Sequence, residues 1–105
     1  MIMVSSAQMR ELDRRLGEIE RDAASAIELL FDAPSVLARF ENTGRVSEDL
    51  ARRTGLVGVA ARASGVSCDI RQEFPYGMYQ FTQVPVCTWH TGDCFARAYV
   101  RWLEM

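Results

Sequence analysis

Lysine is absent from this 105-residue chain, and all 12 basic residues are arginines. That excludes a lysine Schiff base and a phosphate-loop lysine. The 12 basic residues stand against 14 acidic ones for a net charge of −2. No electrostatic footprint for nucleic acid or an anionic membrane surface follows from that balance. Histidine is scarce: His90 is the only one. The cysteines are three, Cys68, Cys87 and Cys94, an odd number with no regular framework, which reads as reduced thiols in a cytoplasmic setting. The opening MIMVSS has neither a charged segment nor the long apolar run of a secretion signal. No window approaches the roughly 18 apolar residues that would span a bilayer. Repeats and low-complexity tracts are also missing. The length fits one domain or a piece of a larger one, and a core this small gains from a partner.

What is present begins with a long helical pattern over residues 6–31. Met9, Leu12, Leu16, Ile19, Ala23, Ala26 and Leu30 recur at alternating spacings of three and four, a heptad seam. Arg10, Glu11, Asp13, Arg14, Glu18, Glu20 and Arg21 lie off it, and Gly17 weakens the helix slightly. A helix of this length runs about 39 Å. Its stripe needs other helices, or a second copy in a homodimeric coiled coil. Short helices are expected over 33–41 and 47–63. Asp32 is placed to cap the first with Pro34 in its opening turn, and Gly44 to stop it. Ser47 is placed to cap the next, with Glu48 and Asp49 at its positive end and Gly55 after it. LVGVAARASG is small and apolar and permits close backbone approach. Residues 66–92 read as an irregular loop with a minor strand, broken at Pro75 and Pro85 and rich in aromatics. Asp93 then caps a final helix over 93–105 that stops mid-pattern, so the chain reads as a section of something longer.

Cys87-x2-His90-x3-Cys94 has the ligand types of a zinc site, with Asp93 or Cys68 available as a fourth. Cys94 at a helix start with His90 as base is a second reading, and structural thiols in a loop are a third. VSEDLARRTGLVGVAARASGV has the outline of a helix-turn-helix, but its second helix offers mainly Arg62 to a base edge. Asp69 and Arg71, two apart, share a face on extended backbone and suit ion pairing. Glu11/Arg15 and Glu18/Asp22 are surface charges of the long helix.

From Arg39 to Met105 the chain resembles the large subunit shared by group 4 nickel–iron hydrogenases and the 49-kDa-type subunit of respiratory complex I. The residues that carry the resemblance are Thr43-Gly44, then Gly55-Leu56-Val57-Gly58, then RASGVSCDIR at 62–71. Pro75-Tyr76 with Tyr79, Val84-Pro85, Gly92-Asp93-Cys94, Arg97, Arg101 and Glu104-Met105 follow in order. Cys68, where the complex I form favours Trp, and Ala96, where it favours Asp, lean towards the formate hydrogenlyase type of hydrogenase. The alternative is the NADH-quinone oxidoreductase subunit.

The resemblance implies a mainly α fold: a piece of a helical-bundle subunit with Arg62, Gly65, Asp69, Arg71, Pro75, Tyr76, Gly92 and Asp93 as its structural motif. It implies a parent that passes electrons to an iron–sulfur cluster in a small partner subunit. The parent's centre would be nickel–iron or a quinone, in a membrane-bound complex on the inner face. The family's paired C-x2-C ligands do not occur in this chain. No catalytic or cofactor-binding residue is therefore expected in it, and no activity from it alone. On this reading Cys87, His90 and Cys94 are a loop and a helix start.

Overall fold

The computed structural model describes residues 4–105, so the first half of MIMVSS lies outside the described residues. The chain divides into two compact units, Met1–Val36 and Leu37–Met105.

The first unit is dominated by α1, Ser6–Phe31. Ser5 caps it: its side chain accepts from the Gln8 backbone N–H while the Gln8 side chain accepts from the Ser5 N–H, so two of the orphan donors of the first turn are satisfied reciprocally. Arg14 and Arg15 pair with Glu11, and Arg14 with Glu18, along the solvated face. No residue of α1 is buried. Asp32 ends this helix, donating its N–H to the Glu28 carbonyl, instead of capping the next one. Pro34 opens α2, Pro34–Phe40, at the position where its missing N–H costs nothing, and the boundary between the two units falls within α2.

The second unit contains α3 (Glu48–Arg53), α4 (Gly58–Ala63), α5 (Ile70–Glu73), a single 3₁₀ turn (Gly77–Gln80) and α6 (Cys94–Leu103). Ser47 caps α3 by accepting from the Leu50 N–H, and Asp93 caps α6 by accepting from the Ala96 N–H. The expectation of a mainly helical chain holds. The minor strand in 66–92 does not appear: among the described residues there is no strand. Single backbone bonds replace a ladder. Trp89 donates to the Arg62 carbonyl at 2.9 Å, Gly92 to that of Ala63 at 3.0 Å, and Val46 to that of Gly92 at 2.9 Å. A ladder needs successive residues to alternate towards one partner, and Pro75 and Pro85 interrupt that alternation.

The core is built on α4. One side of it, Ala61, meets Ala51 and Val66, with Val46, Leu56 and Cys68 packed around them. The other side, Ala63, meets Ala96 and Val100 of α6, with Val59, Cys87 and Trp89 at the edge. Alanines at these crossings let backbones approach closely, and the loop then supplies bulk: the Trp89 ring stands edge-on to Tyr99 at 4.8 Å, and Phe95 stacks on Tyr99 at 5.6 Å.

Gly92 is the tightest point. Its φ is +65°, and an added Cβ would lie 1.9 Å from the Val46 carbonyl oxygen. Both the left-handed backbone and the contact exclude a side chain. Gly92→Ala is expected to lower unfolding free energy by at least about 2 kcal/mol. Urea titration followed by tryptophan fluorescence checks this, and an unchanged midpoint contradicts it.

Candidate functional site

Arg62 is the last-turn arginine of a helix made otherwise of small apolar residues, so it enters the core with its backbone and has to find its partners there. Its Nη1 lies 3.3 Å from Asp69 Oδ2, and its Nη2 donates to Glu104 Oε2 at 2.8 Å. The side chains of Arg62, Asp69 and Glu104 are 7%, 3% and 14% exposed, so these charges interact in a poorly solvated setting. Asp69 caps α5 through the Arg71 N–H. The same carboxylate receives the Arg71 guanidinium in a two-point grip, Nε to Oδ1 at 2.9 Å and Nη2 to Oδ2 at 2.6 Å. Two arginines thus share one aspartate. The Arg71 hydrogen bond holds the Asp69 carboxyl well below the usual carboxylate range, against the opposing effect of burial. Asp69 and Arg71 do share a face as expected, but a helix cap, not extended backbone, brings them together. Among the described residues, Arg62 Nε and Glu104 Oε1 are buried without a partner.

A second hub lies at residues 90–97. Asp93 is 3% exposed. Burial raises its pKa, but N–H donors from Ala96 and Asn42 and the Thr91 hydroxyl outweigh that and leave it lowered. Arg97 spans the hub, donating from Nη1 to the Gly92 carbonyl at 2.8 Å and the Gly44 carbonyl at 3.2 Å, while its Nη2 approaches Cys94 Sγ at 3.3 Å. The Cys87 thiol faces the Leu103 carbonyl instead. His90 sits over Gly65, whose added Cβ would lie 3.2 Å from His90 Nδ1 and 3.3 Å from Glu48 Oε2. Among the described residues no three His, Cys, Asp or Glu side chains form a group able to hold a metal. Cys87, His90 and Cys94 are therefore not brought together as ligands: one thiol turns to the end of α6 and the other to Arg97. The described residues likewise do not assemble the donor set that a nickel–iron centre would need.

Pro75 and Arg71 border an open cavity of about 800 Å³ with Gln72, Tyr79 and Val84. Tyr76 meets Tyr79 edge-on at 5.3 Å. Hydrogen bonding to Glu73, added to burial, pushes the Cys68 thiol up, which makes it a poor nucleophile. Arg62, the residue on which a helix-turn-helix reading depends, is spent on carboxylates inside the core and cannot reach a base edge. Glu104, Asn42 and Thr91 complete the two hubs without any local signal. Each lies tens of residues from its partner or is an ordinary loop residue, and only the polarity of a lone arginine in an alanine helix hints that a distant acid is required.

Asp69→Ala leaves Arg62 and Arg71 facing one another and is expected to cost about 3 kcal/mol. Because the folded Asp69 pKa is depressed, its contribution is present above the unfolded value near about 3.9 and is lost as pH falls below it. Thermal melts from pH 7 down to 2 should show wild-type stability falling below about pH 4 and a weaker acid dependence in Asp69→Asn. Identical acid profiles would mean that the Asp69 cluster does not stabilise the fold.

Residues 4–105 match the family described as respiratory-chain NADH dehydrogenase, 49 Kd subunit. The D-type subunit of the NADH-quinone oxidoreductase of Desulfotalea psychrophila is 34% identical over 70 residues, 67% of this chain and 19% of that protein. The D-type subunit of the F(420)H(2) dehydrogenase of Methanosarcina mazei is 45% identical over 62 residues, 59% of this chain and 17% of that one. The chain thus spans less than a fifth of the length of these relatives. In fold it is similar to a chain of the membrane-bound sulfane sulfur reductase, an archaeal respiratory membrane complex, with a TM-score of 0.85 and 24% identity, covering 97% of this chain and 27% of that one. The family match takes in α1 as well as the region from Arg39 onward. With residues 4–105 matched throughout, the chain belongs to the family of the 49 Kd subunit of respiratory-chain NADH dehydrogenase.

Proposed function

We propose that this chain is a supporting section of the large, D-type subunit of a multi-subunit respiratory membrane complex. In that complex electrons pass between the large subunit's own centre and an iron–sulfur cluster in a small partner subunit. The single observation that carries the reading is the family match over residues 4–105, on a segment whose charged side chains are committed to holding loops and helices. Asp69, Arg71 and Asp93, the buried or half-buried groups with the clearest shifts, all have them through internal hydrogen bonds. A catalytic acid or base would instead present a proton to a cleft. Alone, the chain carries no reaction. On this reading the large subunit reaches the inner face of the membrane through its partners; among the described residues no helix is long and apolar enough to cross one.

The relatives' names favour a quinone-linked subunit, NADH-quinone oxidoreductase type, as the first reading. One observation favours the formate hydrogenlyase type of hydrogenase: Ala96 is fully buried against Ala63 and Val100, where the aspartate of the complex I wording would bring an uncompensated charge. Nickel separates the two. Elemental analysis of the purified full-length protein is expected to give far less than one nickel per chain. A value near one assigns the hydrogenase reading and overturns the first.

A further inference from the structure

The two buried atoms left over in the Arg62 hub match each other. Arg62 Nε is a donor and Glu104 Oε1 an acceptor, and neither has a partner among the described residues. A buried polar group left unbonded costs its full desolvation, so native chains keep few of them. Each orphan is the neighbour of a bonded atom in the same contact, because Arg62 Nη2 donates to Glu104 Oε2 at 2.8 Å. Nε and Nη2 form one edge of a guanidinium, and that edge fits both oxygens of a single carboxylate. The hub also holds the finished version of this grip. Arg71 takes Asp69 by Nε to Oδ1 at 2.9 Å and by Nη2 to Oδ2 at 2.6 Å. Arg62 has made half of it.

The two carboxylates are held differently. Asp69 is fixed from both sides by Arg62 and Arg71, and it also accepts from the Arg71 backbone N–H. Glu104 follows the last helical residue, Leu103, and only exposed Met105 comes after it. The terminal torsion of a glutamate side chain is broad, so its carboxylate turns at little cost. Glu104 is therefore the member that moves.

We propose that residues 103–105, at the end of α6, form a strap that closes on α4. In its closed position Glu104 grips Arg62 edge-on, with Oε1 on Nε beside Oε2 on Nη2. The structure shows the strap half closed. Its neighbours give it something to control. The Leu103 carbonyl faces the Cys87 thiol at 3.8 Å, and the Arg62 carbonyl accepts from the Trp89 N–H at 2.9 Å. Both sides of the grip thus bear on residues 87–89, and closing it stops that loop from opening apart from the rest of the unit. The inference concerns this unit alone and goes beyond the function proposed above.

Glutamine separates a closed strap from a one-bond contact. Glu104→Gln replaces one carboxylate oxygen by an NH2 group. A one-bond contact survives, because the amide oxygen takes the place of Oε2. In a closed strap the NH2 group meets an N–H of the guanidinium whichever way the amide turns, and the grip fails. The test is NMR of the full chain with arginine side chains labelled, as wild type and as Glu104→Gln. In the wild type, coupling across a hydrogen bond should join Arg62 Nε to the Glu104 carboxylate carbon, as it joins Arg71 Nε to that of Asp69. Glu104→Gln should abolish it. Relative to amides at the centre of α6, exchange of the Arg62 Nε–H and the Trp89 N–H should then accelerate at least tenfold, with the Arg71 Nε–H unchanged. A wild type without the Arg62 coupling overturns the proposal, and so does a Glu104→Gln chain in which both rates stay within twofold. Equal acceleration at Arg71 means that the whole hub loosens, which also contradicts a strap. If Glu104→Gln does not fold, the wild-type coupling alone decides.

Discussion

Arg62 is the charge that the second unit has to accommodate. It sits in a six-residue helix whose other buried members are Ala61 and Ala63, and its side chain is 7% exposed. Leaving such a group unpaired would cost several kcal/mol. The chain therefore brings it two carboxylates, Asp69 from the start of α5 and Glu104 from beyond the end of α6. Those two contacts define where the loop starts and where the last helix finishes. The backbone of Arg62 is used as well, since its carbonyl accepts from Trp89. One residue thus anchors three separate stretches of a chain with few large apolar side chains in its core.

The Gly92–Asp93 turn does for backbone what Arg62 does for charge. Asp93 satisfies the Ala96 N–H at the start of α6 and also the Asn42 N–H of the turn after α2, while Arg97 ties the carbonyls of Gly44 and Gly92. The donors and acceptors that helix ends leave open are closed by other helix ends. Such a unit is rigid where it is satisfied, and among its described residues no three His, Cys, Asp or Glu side chains come together to hold a metal. On the function proposed above, its place in a redox subunit is one of support, holding the spacing of elements around a centre built from residues elsewhere in the larger chain.

The helices are legible in the sequence because their signals are local. Heptad spacing marks α1, Ser47 with two acids marks α3, and Asp93 marks the start of α6. Ser5 with Gln8 three residues on is a capping box that the heptad spacing alone does not mark. Asp32 has the chemistry of a cap for α2, although the preceding helix claims its N–H. The strand expected in 66–92 does not form, and of the aromatics there Phe74, Tyr76 and Phe81 stay exposed while Trp89 packs against Tyr99. At the candidate site, the pairing of Asp69 with Arg71 can be read from two positions. The Arg62–Glu104 contact cannot, because 42 residues separate them and no periodicity links a buried arginine to a C-terminal acid. The Cys87, His90 and Cys94 spacing suggests ligands because sequence distance is short there, while the side chains diverge once α6 begins at Cys94.

Amide hydrogen exchange of the folded chain tests most directly whether the Arg62 and Gly92 junctions hold the second unit together. The N–H groups of Trp89 and Gly92, bonded to the carbonyls of Arg62 and Ala63, should exchange only with global unfolding, as slowly as the amides at the centre of α6. If those two amides exchange freely while α6 stays protected, the junctions open independently of the fold and cannot be what the rest of it depends on.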